Sequence, residues 1–119
     1  LWALDPNAGP GYDCSAAWLF VPPNPVDKSD KEEMKSSPAI GPDGTLYLGA
    51  SKGKKSSTFY ALDPSDGSIV WKHEHTDKGT YNNNQAVVGA DGTVYASHGK
   101  LLWAFDGAGD GLGGSNVLW

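Results

Sequence analysis

Tyr60-Ala61-Leu62-Asp63-Pro64-Ser65-Asp66-Gly67-Ser68-Ile69-Val70-Trp71 is the stretch whose reading decides the fold. Short apolar runs at 59–62 and 68–73 flank Asp63-Pro64-Ser65-Asp66-Gly67, where Pro presets φ and Gly tolerates the reversal. The segment therefore reads as strand, turn, strand. It is also repeated. Its opening recurs as Trp2-Ala3-Leu4-Asp5 and as Trp103-Ala104-Phe105-Asp106, and the three copies are followed by Trp18, Trp71 and Trp119.

A second element repeats in step with the first. Pro38-Ala39-Ile40-Gly41-Pro42-Asp43-Gly44-Thr45-Leu46-Tyr47 lines up with Gln85-Ala86-Val87-Val88-Gly89-Ala90-Asp91-Gly92-Thr93-Val94-Tyr95. Asp-Gly between apolar runs is a hairpin signal, and a two-residue type I′ turn is expected at both. The flanking strands are then 37–40 with 45–49, and 86–88 with 93–97. No window carries a helical apolar period; 28–35, the best helix candidate, is polar throughout and reads as solvated loop. Four short strands in a repeat of about 45 residues, rich in Gly and aromatics, predict an all-β fold of β-propeller blades, each with four antiparallel strands. A β-sandwich or a small barrel is the alternative, and neither requires this self-similarity.

Ala61-x-Asp63-x-x-x-Gly67-x-x-x-Trp71 resembles the tryptophan-docking pattern of the PQQ-like, quinoprotein-type propeller repeat. The resemblance covers most of the chain outside the stretch from about Pro22 to Lys35. All four pattern positions are kept in the middle copy. In the outer copies Ala3 and Asp5 are followed by Trp18, and Ala104 and Asp106 by Trp119, at a longer spacing. The resemblance implies that Trp18, Trp71 and Trp119 join neighbouring blades. The chemistry suits that role: a flat indole buries on the order of 200 Å². A small Ala leaves room for a ring, an Asp oxygen accepts from turn amides, and Gly accepts positive φ.

Counted in strands, 1–21 supply the last two of a blade, 22–35 a loop, 36–76 a complete blade and 77–84 a second loop. Residues 85–119 supply a blade whose last strand is cut short at its tryptophan. That makes about 2.5 blades of an incomplete propeller, where closed propellers have roughly 4 to 8. An array left open exposes strand edges and apolar faces. Three arrangements would cover them: a longer parent propeller, an open array capped by its neighbours, or closure by self-assembly, three copies giving about 7.5 blades.

Composition narrows the function. Sixteen Gly and eight Pro in 119 residues imply many turns. The single Cys14 excludes an internal disulfide framework and CxxC zinc sites. The formal charge is −5 and every cation is Lys, with no Arg to supply the planar fork that reads phosphates and guanine edges, so no nucleic-acid partner is expected. No apolar run approaches the roughly 18 residues of a membrane span. The chain opens Leu1-Trp2-Ala3-Leu4 without a basic n-region or a long apolar run, so it carries no visible signal peptide, and the absent Met points to sequence upstream.

Motifs for chemistry are sparse. Asp5, Asn7 and Asp13 place oxygen donors at alternating positions of a Gly-rich loop and form a weak candidate calcium loop; Gly9 interrupts the carboxylate series, and a wide Gly/Asp turn is the plainer reading. Asp106-x-Ala108-x-Asp110 is a shorter version. His73 and His75 share one strand face, with His98 or Glu74 as further zinc ligands; solvent-facing histidines at a strand end are the plainer reading. Cys14 has no base beside it in sequence. Gly109-x-Gly111-x-x-Gly114 spells a dinucleotide fingerprint with no helix to follow it. Asn82-Asn83-Asn84 reads as a polar turn, or as amides facing a ligand near a propeller axis.

Some members of the PQQ-like family bind the quinone and calcium and oxidise alcohols or sugars, which makes a piece of a PQQ-dependent dehydrogenase the alternative function. Arg and a vicinal cysteine pair, typical of such sites, are missing from this sequence, so neither PQQ nor another cofactor is expected in it. The preferred expectation is a non-enzymatic scaffold outside the cytoplasm. Its partner would be protein, either further blades of the same chain or copies of itself.

Overall fold

The apolar runs 46–50 and 59–62 lack the alternating polar positions a one-sided strand would have, and strands of that kind are buried on both faces. The computed structural model describes residues 1–4, 16–23, 33–34, 36–52, 56–76, 85–98 and 101–119. Among these residues the fold is all-β and antiparallel, with no helix. The strands are β1 (Trp2–Leu4), β2 (Ala16–Leu19), β3 (Glu33–Met34), β4 (Ala39–Ile40), β5 (Leu46–Lys52), β6 (Ser56–Leu62), β7 (Ile69–His75), β8 (Ala86–Val88), β9 (Thr93–His98), β10 (Leu101–Asp106) and β11 (Asn116–Val117).

They form three open sheets. The first pairs β1 with β2. In the second, β4, β5, β6 and β7 run up and down in chain order. β3 also pairs with β5, through Glu33 to Ser51 and Met34 to Ala50. A short strand thus lies within the 22–35 stretch read as a loop. The third sheet repeats the meander as β8, β9, β10 and β11.

The middle sheet is covered on both sides. Tyr47, Phe59, Ala61 and Trp71 face the third sheet and pack with Val94, Ala96 and Phe105. Leu48, Ala50, Tyr60 and Leu62 point the other way and pack with Phe20 and Trp18 of the first sheet side. This is why every residue from Ser57 to Leu62 is buried, Ser57 and Thr58 included.

The two Asp-Gly turns are closed by the same bonds. Gly41 N–H donates to Thr45 O at 2.8 Å and Gly44 N–H to Gly41 O at 3.0 Å; Gly89 to Thr93 and Gly92 to Gly89 repeat both distances. Only the glycines have positive φ, 90° at Gly44 and 84° at Gly92. A type I′ turn would need Asp43 and Asp91 there as well, so that expectation is corrected: each loop is a turn followed by a left-handed glycine bulge. The aspartate favours this form because its Oδ1 accepts the N–H two residues on, from Thr45 and from Thr93, at 3.0 Å in both. Those bonds lower the pKa of Asp43 and Asp91, with the backbone donor as the larger cause and the threonine hydroxyl as the second.

Candidate functional site

The chemistry-bearing feature among the described residues is a pair of equivalent joints, each made by an indole of one sheet and a turn of the next. Trp71 leaves β7 opposite Ala61, whose methyl leaves space above the strand. Its ring lies against Gly109, where a Cβ would sit 2.5 Å from Trp71 Cδ1. Its Nε1–H donates to the carbonyl of Gly107 at 2.7 Å. Tyr47 OH donates to the same carbonyl at 3.1 Å. Tyr47, Phe59 and Phe105 surround the indole with ring centroids 5.9, 6.1 and 5.6 Å away, and 1% of Trp71 remains exposed.

Trp18 makes the same joint one sheet earlier. It pairs with Ala3 across β1 and β2. A Cβ on Gly67 would meet its Cε3 at 2.5 Å, and its Nε1–H donates to Pro64 O at 2.9 Å. Pro64 follows Asp63 as Gly107 follows Asp106, so both indoles use the same carbonyl of the repeat.

The aspartate explains why that carbonyl is available. Asp63 Oδ1 accepts Ser65 N–H at 2.8 Å, while the Asp63 carbonyl accepts Gly67 N–H at 2.9 Å. Asp106 Oδ1 accepts Ala108 N–H at 3.0 Å, and its carbonyl accepts Gly109 N–H at 3.0 Å. The turn satisfies its own amides and leaves the next carbonyl pointing outward. Gly67 and Gly109 carry positive φ, 75° and 72°, and lack the Cβ that would strike the ring.

Among the described residues Trp119 meets no such turn. Its backbone carbonyl accepts Ala104 N–H at 2.8 Å and its ring lies 6.0 Å from Tyr95, yet 61% of it is exposed. Ala61 and Ala104, each paired beside a tryptophan, are both fully buried.

The remaining candidates do not converge. Asp5, Asn7, Asp13, Cys14 and Asn82 to Asn84 lie outside the described residues. His73 and His75 are half-buried rather than free in solvent, which corrects that reading: both pack on Trp103, at 5.1 and 5.5 Å, and His73 Nδ1 lies 2.7 Å from Ser115 Oγ. Burial, with the nearby His75 as a lesser cause, lowers the pKa of His73. Glu74 points elsewhere and pairs with Lys72 at 2.6 Å on an exposed edge. Among the described residues no group of three His, Cys, Asp or Glu side chains could hold a metal. No helix there is long and apolar enough to cross a membrane.

Gly107, Gly109 and Tyr47 escaped the sequence reading as parts of a joint. The signal was present, since Gly109 stands three residues after Asp106 where Gly67 stands four after Asp63, but the spacing differs by one and the later tryptophan lies further on.

Set against known proteins, the chain matches no protein-family model, and no curated protein matches it.

Proposed function

We propose that this chain is part of a β-propeller of the PQQ-like kind, working as a non-enzymatic scaffold for protein interaction or self-assembly outside the cytoplasm. The observation that carries the reading is the repetition of one joint: Trp18 on Pro64 and Gly67, then Trp71 on Gly107 and Gly109, by the same atoms. Two successive four-stranded meanders stacked through that joint are what consecutive blades of a radial array require. The buried surfaces are spent on this stacking, and the third sheet still offers an apolar face to a partner, with Val87 69% and Trp119 61% exposed. The extracytoplasmic placement rests on the family resemblance alone.

The test is particle mass by light scattering, with imaging, together with absorbance spectroscopy after incubation with PQQ and calcium. Multi-chain particles, or a stable complex with another protein, without stoichiometric quinone support the scaffold. A one-chain 12.5 kDa particle with no partner, or bound quinone at one per chain, overturns it.

A further inference from the structure

The seam between the second and third sheets is apolar at one end and polar at the other. Phe59, Ala61, Trp71 and Phe105 fill the apolar end. Toward the other end the same face of β6 and β7 carries Ser57, His73 and His75. Strand alternation puts Ser57 on the side of Phe59 and Ala61, toward the third sheet, and pairing sets it directly opposite His75. From β10, Trp103 packs on both histidines, with ring centroids 5.1 Å from His73 and 5.5 Å from His75.

Two polar groups at this end are shut away from solvent without a partner. Ser57 is fully buried, and neither its Oγ nor the buried Nε1 of Trp103 makes a hydrogen bond. Among the described residues no other buried side-chain nitrogen or oxygen is in that state. Trp18 and Trp71, by contrast, both donate to turn carbonyls. A buried polar group left unpaired costs the whole of its desolvation, and folded proteins ordinarily answer such groups with a protein partner, a water or a bound ligand. The polar side chains nearby are committed elsewhere: His73 Nδ1 lies 2.7 Å from Ser115 Oγ, and Glu74 pairs with Lys72 on the opposite face of β7.

The two groups specify what fits between them. An indole N–H only donates, so its partner is an acceptor, while a hydroxyl both donates and accepts. Ser57 Oγ could accept from Trp103 Nε1 but does not, so one oxygen that bridges them satisfies both. We propose that the polar end of this seam binds a single hydrogen-bond-accepting oxygen, held by Trp103 Nε1 and Ser57 Oγ and supplied by an internal water or a small carboxylate. Two polar partners are the fewest an internal water ordinarily has. The inference goes beyond the scaffold reading and does not depend on it. Trp71 pins one end of the seam through Gly107, and the bound oxygen pins the other.

The experiment is proton–nitrogen NMR of the indole N–H groups in the full chain, with Trp103 identified as the resonance lost in Trp103→Phe. If water is the source, the Trp103 N–H of the parent shows a cross-peak to a long-lived water, and Ser57→Ala loses it. If a carboxylate is the source, added formate moves the Trp103 resonance to lower field and saturates, leaving those of Trp18 and Trp71 in place. Ser57→Ala then weakens formate binding roughly fivefold, the worth of one hydrogen bond. Unmoved Trp18 and Trp71 resonances show that Ser57→Ala is folded. A parent whose Trp103 N–H shows neither the water cross-peak nor the formate shift overturns the proposal. So does a Ser57→Ala spectrum that keeps the parent's signal in full.

Discussion

Trp71 and Trp119 occupy the same place in successive sheets, yet one is the most enclosed ring of the core and the other lies largely in water. Both stand beside an alanine and against a tyrosine. What separates them is a turn belonging to another sheet: Gly107 and Gly109 above Trp71, and among the described residues nothing comparable above Trp119. An indole in such a repeat becomes core or surface according to what its neighbour presents, while its own sheet treats it alike in both cases.

Substitutions measure that difference. Trp71→Ala removes a fully enclosed ring and leaves a cavity lined by Tyr47, Phe59 and Phe105, so denaturant unfolding should show a loss of about 3–5 kcal/mol. A cost no greater than that of Trp119→Ala would erase the contrast.

Gly109 and Gly111 give a matched pair. Both have positive φ, 72° and 75°, but a Cβ on Gly109 strikes Trp71 whereas one on Gly111 meets nothing within 4 Å. Gly111→Ala should cost the backbone strain alone, about 1–2 kcal/mol. Gly109→Ala should cost that and more, and its Trp71 fluorescence should shift toward that of an exposed indole. Equal losses and unchanged spectra would place Trp71 elsewhere.

Acid should weaken the His73 contacts. His73 sits between β7 and the third sheet, and its folded pKa lies below the ordinary value of about 6.5. The unfolded chain therefore takes up this proton first, and stability present above that value declines as pH falls toward the folded pKa. Stability followed from pH 7 to 5 should fall less in His73→Gln than in the parent; identical slopes would remove His73 from the coupling.

Trp119→Ala should be the quietest change at dilutions where the chain is a single copy, within about 0.5 kcal/mol by thermal or chemical unfolding. A large loss there would mean that Trp119 is covered within its own chain.

The hairpins were legible because local chemistry decides them. Apolar runs at 45–49 and 59–62 broken by Asp-Gly and Asp-Pro turns leave few other conformations. The type of turn was less legible: φ at Asp43 depends on whether its carboxylate bonds forward to Thr45, a balance of a few hydrogen bonds. The short β3 strand left no apolar pattern to read, since Glu33 and Met34 join the sheet through their backbones beside Ser51 and Ala50. His73 looked exposed because strand alternation says which face a residue takes, and says nothing of whether another sheet covers that face.

The sequence by itself determined the hairpins, their order and the recurrence of alanine, aspartate and tryptophan, since each follows from bonds and sterics within a few residues. Only the tertiary structure decided which turn each indole meets. Stacking of whole sheets brings Trp18 to Pro64 and Trp71 to Gly107, residues far apart along the chain, and hydrophobic burial is indifferent to sequence distance once the sheets exist.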